Sequence, residues 1–165
     1  MAVRASVCSA LLKRLRSKDD FLLRLVTVDE TWVHYYGPEN KAKSRQWVGQ
    51  GSPRPTKFKT QPSAGNVMAT VFWDTKGVML MDILSKGSTI TGAYCANLLD
   101  QLRNPIREKH RGKISKGVLL QHGNASVHTC KVAMDAVERN GYELIPHTPY
   151  SPDLAPSDFF LFPNL

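Results

Sequence analysis

Apolar and polar positions alternate along this chain in short segments of two different periods. Residues 21–28 are apolar except for Arg24 and Thr27, a run that predicts a mostly buried strand continuing through Asp29 to Tyr36. Residues 67–73 and 78–84 flank Asp74-Thr75-Lys76-Gly77, which predicts a β-hairpin with Gly77 in the left-handed position. Cys95, Leu98, Leu99 and Leu102 then recur at helical spacing within residues 91–103, and Asn104-Pro105 is expected to end or kink that helix. Residues 117–122 form a short buried strand. A helix follows over about residues 127–140, with Val127, Cys130, Met134 and Val137 on one face and Gly141 as its stop. Residues 142–146 make the last strand. Ahead of all these, Val7, Leu11, Leu12 and Leu15 predict a basic amphipathic helix. The order β-β-β-α-β-α-β-α indicates an α/β domain built on a mixed sheet with helices against it.

The final stretch carries Pro149, Pro152 and Pro156, each of which biases its predecessor away from helical backbone, so no helix is expected before Ser157-Asp158. Asp158 is therefore held at a fixed place, as a helix cap or as a metal ligand. Asp29 stands out for another reason: a carboxylate in a central strand costs several kcal/mol unless a cation or hydrogen-bond donors meet it. A structural reading, in which Asp29 bonds a neighbouring backbone or hydroxyl group, stands beside the functional one. Asp74 reads only as a turn former.

At 165 residues and 42% hydrophobic content, the chain suits one packed domain. A net charge of +8 makes nucleic acid the leading partner class. That charge is concentrated in an irregular excursion, where Lys41, Lys43, Arg45, Arg54, Lys57 and Lys59 interleave with Trp47 and Phe58, a composition suited to a phosphate backbone and stacked bases or to a solvated loop. Cys8, Cys95 and Cys130 have unrelated spacings, so neither a disulfide framework nor a zinc knuckle is implied, and an intracellular setting fits best. No run approaches the roughly 18 apolar residues of a membrane span. The first 18 residues contain five basic side chains and no acid, which also resembles a mitochondrial presequence.

Three segments together carry a family resemblance: Val26-Thr27-Val28-Asp29-Glu30-Thr31-Trp32, Gln121-His122-Gly123-Asn124-Ala125, and Tyr150-Ser151-Pro152-Asp153-Leu154-Ala155-Pro156-Ser157-Asp158. Over about residues 20–165 the chain resembles the catalytic domain of mariner-type transposases of the Tc1/mariner superfamily. That resemblance implies an RNase H-like fold whose three aspartates hold two divalent metals, Mg²⁺ or Mn²⁺, for DNA strand cleavage and strand transfer. The last two family aspartates are separated by thirty-four residues, and the same number lies between positions 123 and 158 here.

Carried over by position, the first aspartate falls on Asp29, the third on Asp158, and the second on Gly123, where the family's His-Asp-Asn-Ala has become His-Gly-Asn-Ala. Glycine supplies no side-chain oxygen, so the expectation is a catalytically inactive descendant whose metal site is weak or absent, with Asp29 and Asp158 as the remaining ligands. Asn124, His122 or His128 could stand in, although packed or surface roles fit both histidines better. Glu30 and Asp153 read as supporting acids, and Trp32, Trp47 and Trp73 as core or loop anchors.

The resemblance further implies DNA at transposon ends as partner, through Lys41, Lys43, Arg45, Arg54, Lys57 and Lys59, a homodimer as the assembly it allows, and a nuclear location. In the family, helix-turn-helix modules precede this domain and further sequence follows the third aspartate. Residues 1–20 thus read as a basic N-terminal linker helix, and residues 21–165 as a C-terminally truncated catalytic domain. The alternative is a non-catalytic DNA-binding or protein-interaction module that keeps the fold.

Overall fold

A computed structural model describes residues 2–17, 20–34, 49, 51–52, 66–110 and 112–164. Its centre is strand β1 (Leu25–His34), which pairs antiparallel with β2 (Asn66–Asp74) and parallel with β4 (Val118–Gln121). Strand β3 (Gly77–Ile83) flanks β2 antiparallel and β5 (Tyr142–Leu144) flanks β4 parallel, giving a mixed five-stranded sheet in the order β3-β2-β1-β4-β5. The expected α/β architecture is present. The β2–β3 hairpin closes as predicted, with Gly77 at φ +122°.

Side-chain alternation divides the sheet into two faces. On one, Val26, Val28, Phe72, Val118 and Leu120 form the main core with Leu98, Leu102 and Ile106 of α3 (Gly92–Lys109) and with Ala136 and Val137 of α6 (Lys131–Arg139). On the other, Leu119 packs with Phe21 and Ile145, and Leu11 of α1 (Ala2–Arg16) leans on them. Leu12 and Leu15 are exposed, so α1 is less amphipathic in place than its spacing predicts.

Four element boundaries differ from expectation. Residues 21–24 are a helical turn, α2 (Phe21–Arg24), rather than the start of the strand. Helix α3 runs through Pro105 to Lys109 instead of ending at Asn104. A proline in a helix forfeits one backbone hydrogen bond, but Leu102 and Ile106 on either side are wholly buried, and their packing holds the helix together across the gap. A further turn, α4 (Lys113–Lys116), precedes β4. The helix expected over residues 127–140 is broken in two, α5 (Ser126–Thr129) and α6, by the extended backbone of Cys130 at ψ 155°. No described helix is long and apolar enough to cross a membrane.

Candidate functional site

Since Val26 and Val28 enter the main core, the alternation of β1 sends Asp29 to the opposite face. Its Oδ1 accepts the Glu30 N–H at 2.9 Å. Burial, with the negative charge of Asp158, raises the Asp29 pKa to about 6 against that hydrogen bond. The two acids, 129 positions apart in sequence, thus lie in each other's field.

Asp158 reaches this place through its neighbours. Ser157 is fully buried, and its Oγ accepts the Trp73 Nε1–H at 3.0 Å. Trp73 is registered opposite Thr27 of β1, two residues before Asp29, and Phe160 stacks on the indole at 5.9 Å between ring centroids. The turn over Ser157–Leu161 is thereby pinned across β1. Asp158 does not act as a cap: its exposed carboxylate makes no hydrogen bond or ion pair with any described residue, and the turn carries no side-chain cap. The prolines act largely as expected, although Pro152–Leu154 forms one tight turn ahead of Ser157.

The loop bearing Gly123 leaves β4 directly after Gln121, which is registered against Thr27. Gln121 Nε2 donates to the Leu154 carbonyl at 2.8 Å and Asn124 Nδ2 to the His147 carbonyl at 3.0 Å. These bonds tie the loop to the segment that leads into Asp158. His147 feels the same centre: burial lowers its pKa against the pull of the Asp158 and Asp153 carboxylates. A Cβ built at Gly123 would meet nothing within 4 Å, and the glycine lies outside the left-handed region, so a larger side chain has room there.

A half-buried carboxylate in the field of an exposed one suits one hard divalent cation, whose preferred ligands are oxygens. A pair of ions needs a third carboxylate, and the donor set falls one short. Among the described residues no group of three His, Cys, Asp or Glu side chains is placed to hold an ion. Asn124 already donates to His147, and His122 bonds its own neighbour, Nδ1 to Gly123 O at 2.7 Å.

Glu30 and His128 do something the sequence did not signal. On the main-core face they meet at 3.2 Å between Oε2 and Nε2, with the His122 ring 5.3 Å from that of His128. A cavity of about 20 Å³ lies among Val28, Glu30, Cys95, His122 and His128. Burial alone would lower the His128 pKa, but the Cys95 side chain and the Glu30 carboxylate raise it to about 10. Glu30 is therefore an ion-pair partner under the sheet, and His128 a packed one. No spacing rule links positions 30 and 128.

The remaining expected residues scatter. Asp153 pairs with Arg4, and Trp32 is exposed rather than a core anchor, whereas Trp73 anchors as expected. Lys41, Lys43, Arg45, Trp47, Arg54, Lys57 and Lys59 lie outside the described residues.

Residues 37–116 match the family model described as transposase (partial DDE domain). The chain is 34% identical over 167 residues to Mariner Mos1 transposase of Drosophila mauritiana, and the match takes in 100% of this chain and 47% of that protein. It thus spans about half the length of this curated relative. Among solved structures, it is similar to the Mos1 mariner paired end complex with Mn (TM-score 0.83, 35% identity, 98% of this chain and 46% of that one). It is also similar to the catalytic domain of Mos1 mariner transposase (TM-score 0.74, 31% identity, 98% and 67%). With its RNase H-like sheet and whole-length similarity to that domain, the chain belongs to the mariner transposase family.

Proposed function

We propose that this chain is a mariner-type transposase catalytic scaffold, by descent a metal-dependent DNA cleaving and strand-transferring domain, whose chemistry is lost because Gly123 occupies the position of the second metal-binding aspartate. The observations that carry this reading are that the Asp158 charge acts on Asp29, and that Gly123, two residues beyond the Gln121–Thr27 pairing, has open space where a side chain would stand. In this reading both aspartates would hold a single Mg²⁺ or Mn²⁺, weakly.

When bound, such ions activate the attacking oxygen and stabilise the leaving oxygen of a phosphodiester. The protein's own part is placement. The Trp73–Ser157 bond and the Gln121–Leu154 bond fix where the carboxylates stand, and a misplacement near 1 Å costs on the order of 10²-fold in rate. DNA at transposon ends is the partner this reading assigns, with Lys41, Lys43, Arg45, Arg54, Lys57 and Lys59 as backbone contacts.

The test is cleavage of transposon-end duplex in Mn²⁺ by the parent chain, by Gly123→Asp and by Gly123→Asp with Asp158→Ala. Cleavage by the single variant alone supports the reading. Cleavage by the parent chain that the double variant lacks sinks the inactive assignment. Salt-sensitive DNA binding with no cleavage by any of the three favours the non-catalytic DNA-binding module.

A further inference from the structure

Away from the aspartates, where β1 begins, the surface opens into a cleft of about 140 Å³ lined by Arg24, Lys76, His110, Gly112, Lys113 and Lys116, together with Leu23. Every charged side chain lining it is basic. The acids that accompany these cations lie outside the lining: Asp74 beyond Lys113, Asp20 against Lys116, and Glu143 at 3.6 Å from Arg24. Among the described residues, Lys76 pairs with no carboxylate.

Two of the cations are held in place by the fold. Lys113 Nζ donates to Asp74 Oδ2 at 2.5 Å and to the Leu25 carbonyl at 3.1 Å, which leaves one of its three donors. Arg24 Nε donates to the Gly117 carbonyl at 2.8 Å and Nη2 lies 3.6 Å from Glu143, which leaves Nη1 to form further bonds. Lys76 is exposed and can swing over the opening, as can Lys116 once it leaves Asp20. Crowding these charges has a cost that shows at Lys113, whose pKa is lowered first by burial and also by the Lys76 charge.

We propose that this cleft is a phosphate-binding site, filled by a nucleic-acid backbone phosphate or by free inorganic phosphate. A tetrahedral oxyanion offers the several acceptors that a ring of fixed and mobile donors requires, and it neutralises the crowded charge. The backbone source accords with the net charge of +8 and with position. Leu25, whose carbonyl holds Lys113, is four residues before Asp29, about 13 Å along the strand at roughly 3.3 Å per residue. A strand of DNA seated here can also pass the carboxylate face. The site does not depend on whether that face performs chemistry.

The experiment uses the full chain. Inorganic phosphate is titrated into ¹⁵N-labelled protein, and binding of a labelled DNA duplex is measured across a salt series, for the parent, for Lys76→Gln with Lys116→Gln, and for Asp20→Asn. The proposal expects phosphate to shift the amides of Lys76, Gly112 and Lys113. It expects at least fivefold weaker binding in the double variant and tighter binding in Asp20→Asn, which releases Lys116. A salt slope reduced by about one to two in the double variant identifies the DNA backbone as the source. An unchanged slope with the phosphate response intact identifies free phosphate. Absence of amide shifts, or equal phosphate affinity in all three proteins with unchanged melting temperatures, overturns the site.

Discussion

Lys113 meets Asp74 at 2.5 Å with their side chains only 5% and 1% exposed, locking the turn after α3 to the end of β2. Each charge is tolerable in the interior because of the other. Burial alone would raise the Asp74 pKa, but the Lys113 hydrogen bond, the Lys76 N–H and the Lys113 charge bring it below the ordinary carboxylate value. Lys113→Met leaves a buried carboxylate with the Lys76 N–H and the His110 ring beside it, and should destabilise the chain by about 3 kcal/mol, as read from urea unfolding. Adding Asp74→Leu should recover a large part of that loss. Equal losses in the single and double variants would show that the pair does not act as a unit.

Asp29 makes the opposite prediction, because its pKa is raised. Stability linked to it is full below the unfolded value near 3.8 and declines as pH rises through about 6, where the buried carboxyl is forced to ionise beside Asp158. Asn keeps the acceptor for the Glu30 N–H but carries no charge. Asp29→Asn should therefore exceed the parent by about 1 kcal/mol at pH 7.5, allowing for solvent screening, and match it at pH 3.5. Thermal melts at the two pH values check this. A gain that persists at pH 3.5 would point to packing instead.

His128 supplies a second pH window. With its folded pKa raised to about 10, its contribution is complete below the unfolded value near 6.5 and falls as pH rises through 10. Melting temperature should decline between pH 7 and 10, and His128→Gln should flatten that decline. An unaltered slope in the variant would mean that another group is responsible.

Gly92 opens α3 hard against Cys130: a Cβ there would fall 2.2 Å from Sγ. Gly92→Ala should cost about 1–3 kcal/mol through overpacking. Cys130→Ala vacates the contested space, so the double variant should be more stable than Gly92→Ala alone. A double-mutant cycle gives the coupling, and strict additivity would refute the clash.

The sheet was legible because its signals are local: short apolar runs, Gly77 in the hairpin, and the Gly141 stop after α6. The position of Asp29 near the middle of β1 was legible in its pattern, and so was the fixed place of Asp158 in the proline-rich segment. The Glu30–His128 and Asp74–Lys113 pairs were not. Each joins residues far apart in the chain, and Asp74 in a hairpin corner looks like any turn former until Lys113 arrives from beyond α3. Pro105 misled for a related reason. The local rule is sound, but wholly buried neighbours outweigh one missing N–H.

Strand β1 lies between β2, whose Asn66 pairs with His34 from 32 positions away, and β4, whose Leu119 pairs with Leu25 from 94 positions away. The antiparallel partner can dock earlier, whereas the parallel partner must wait for a longer loop to close. During synthesis the sheet has an unsatisfied centre until residue 121 clears the ribosome. Over that interval the newborn chain is most exposed to misassembly and to chaperones.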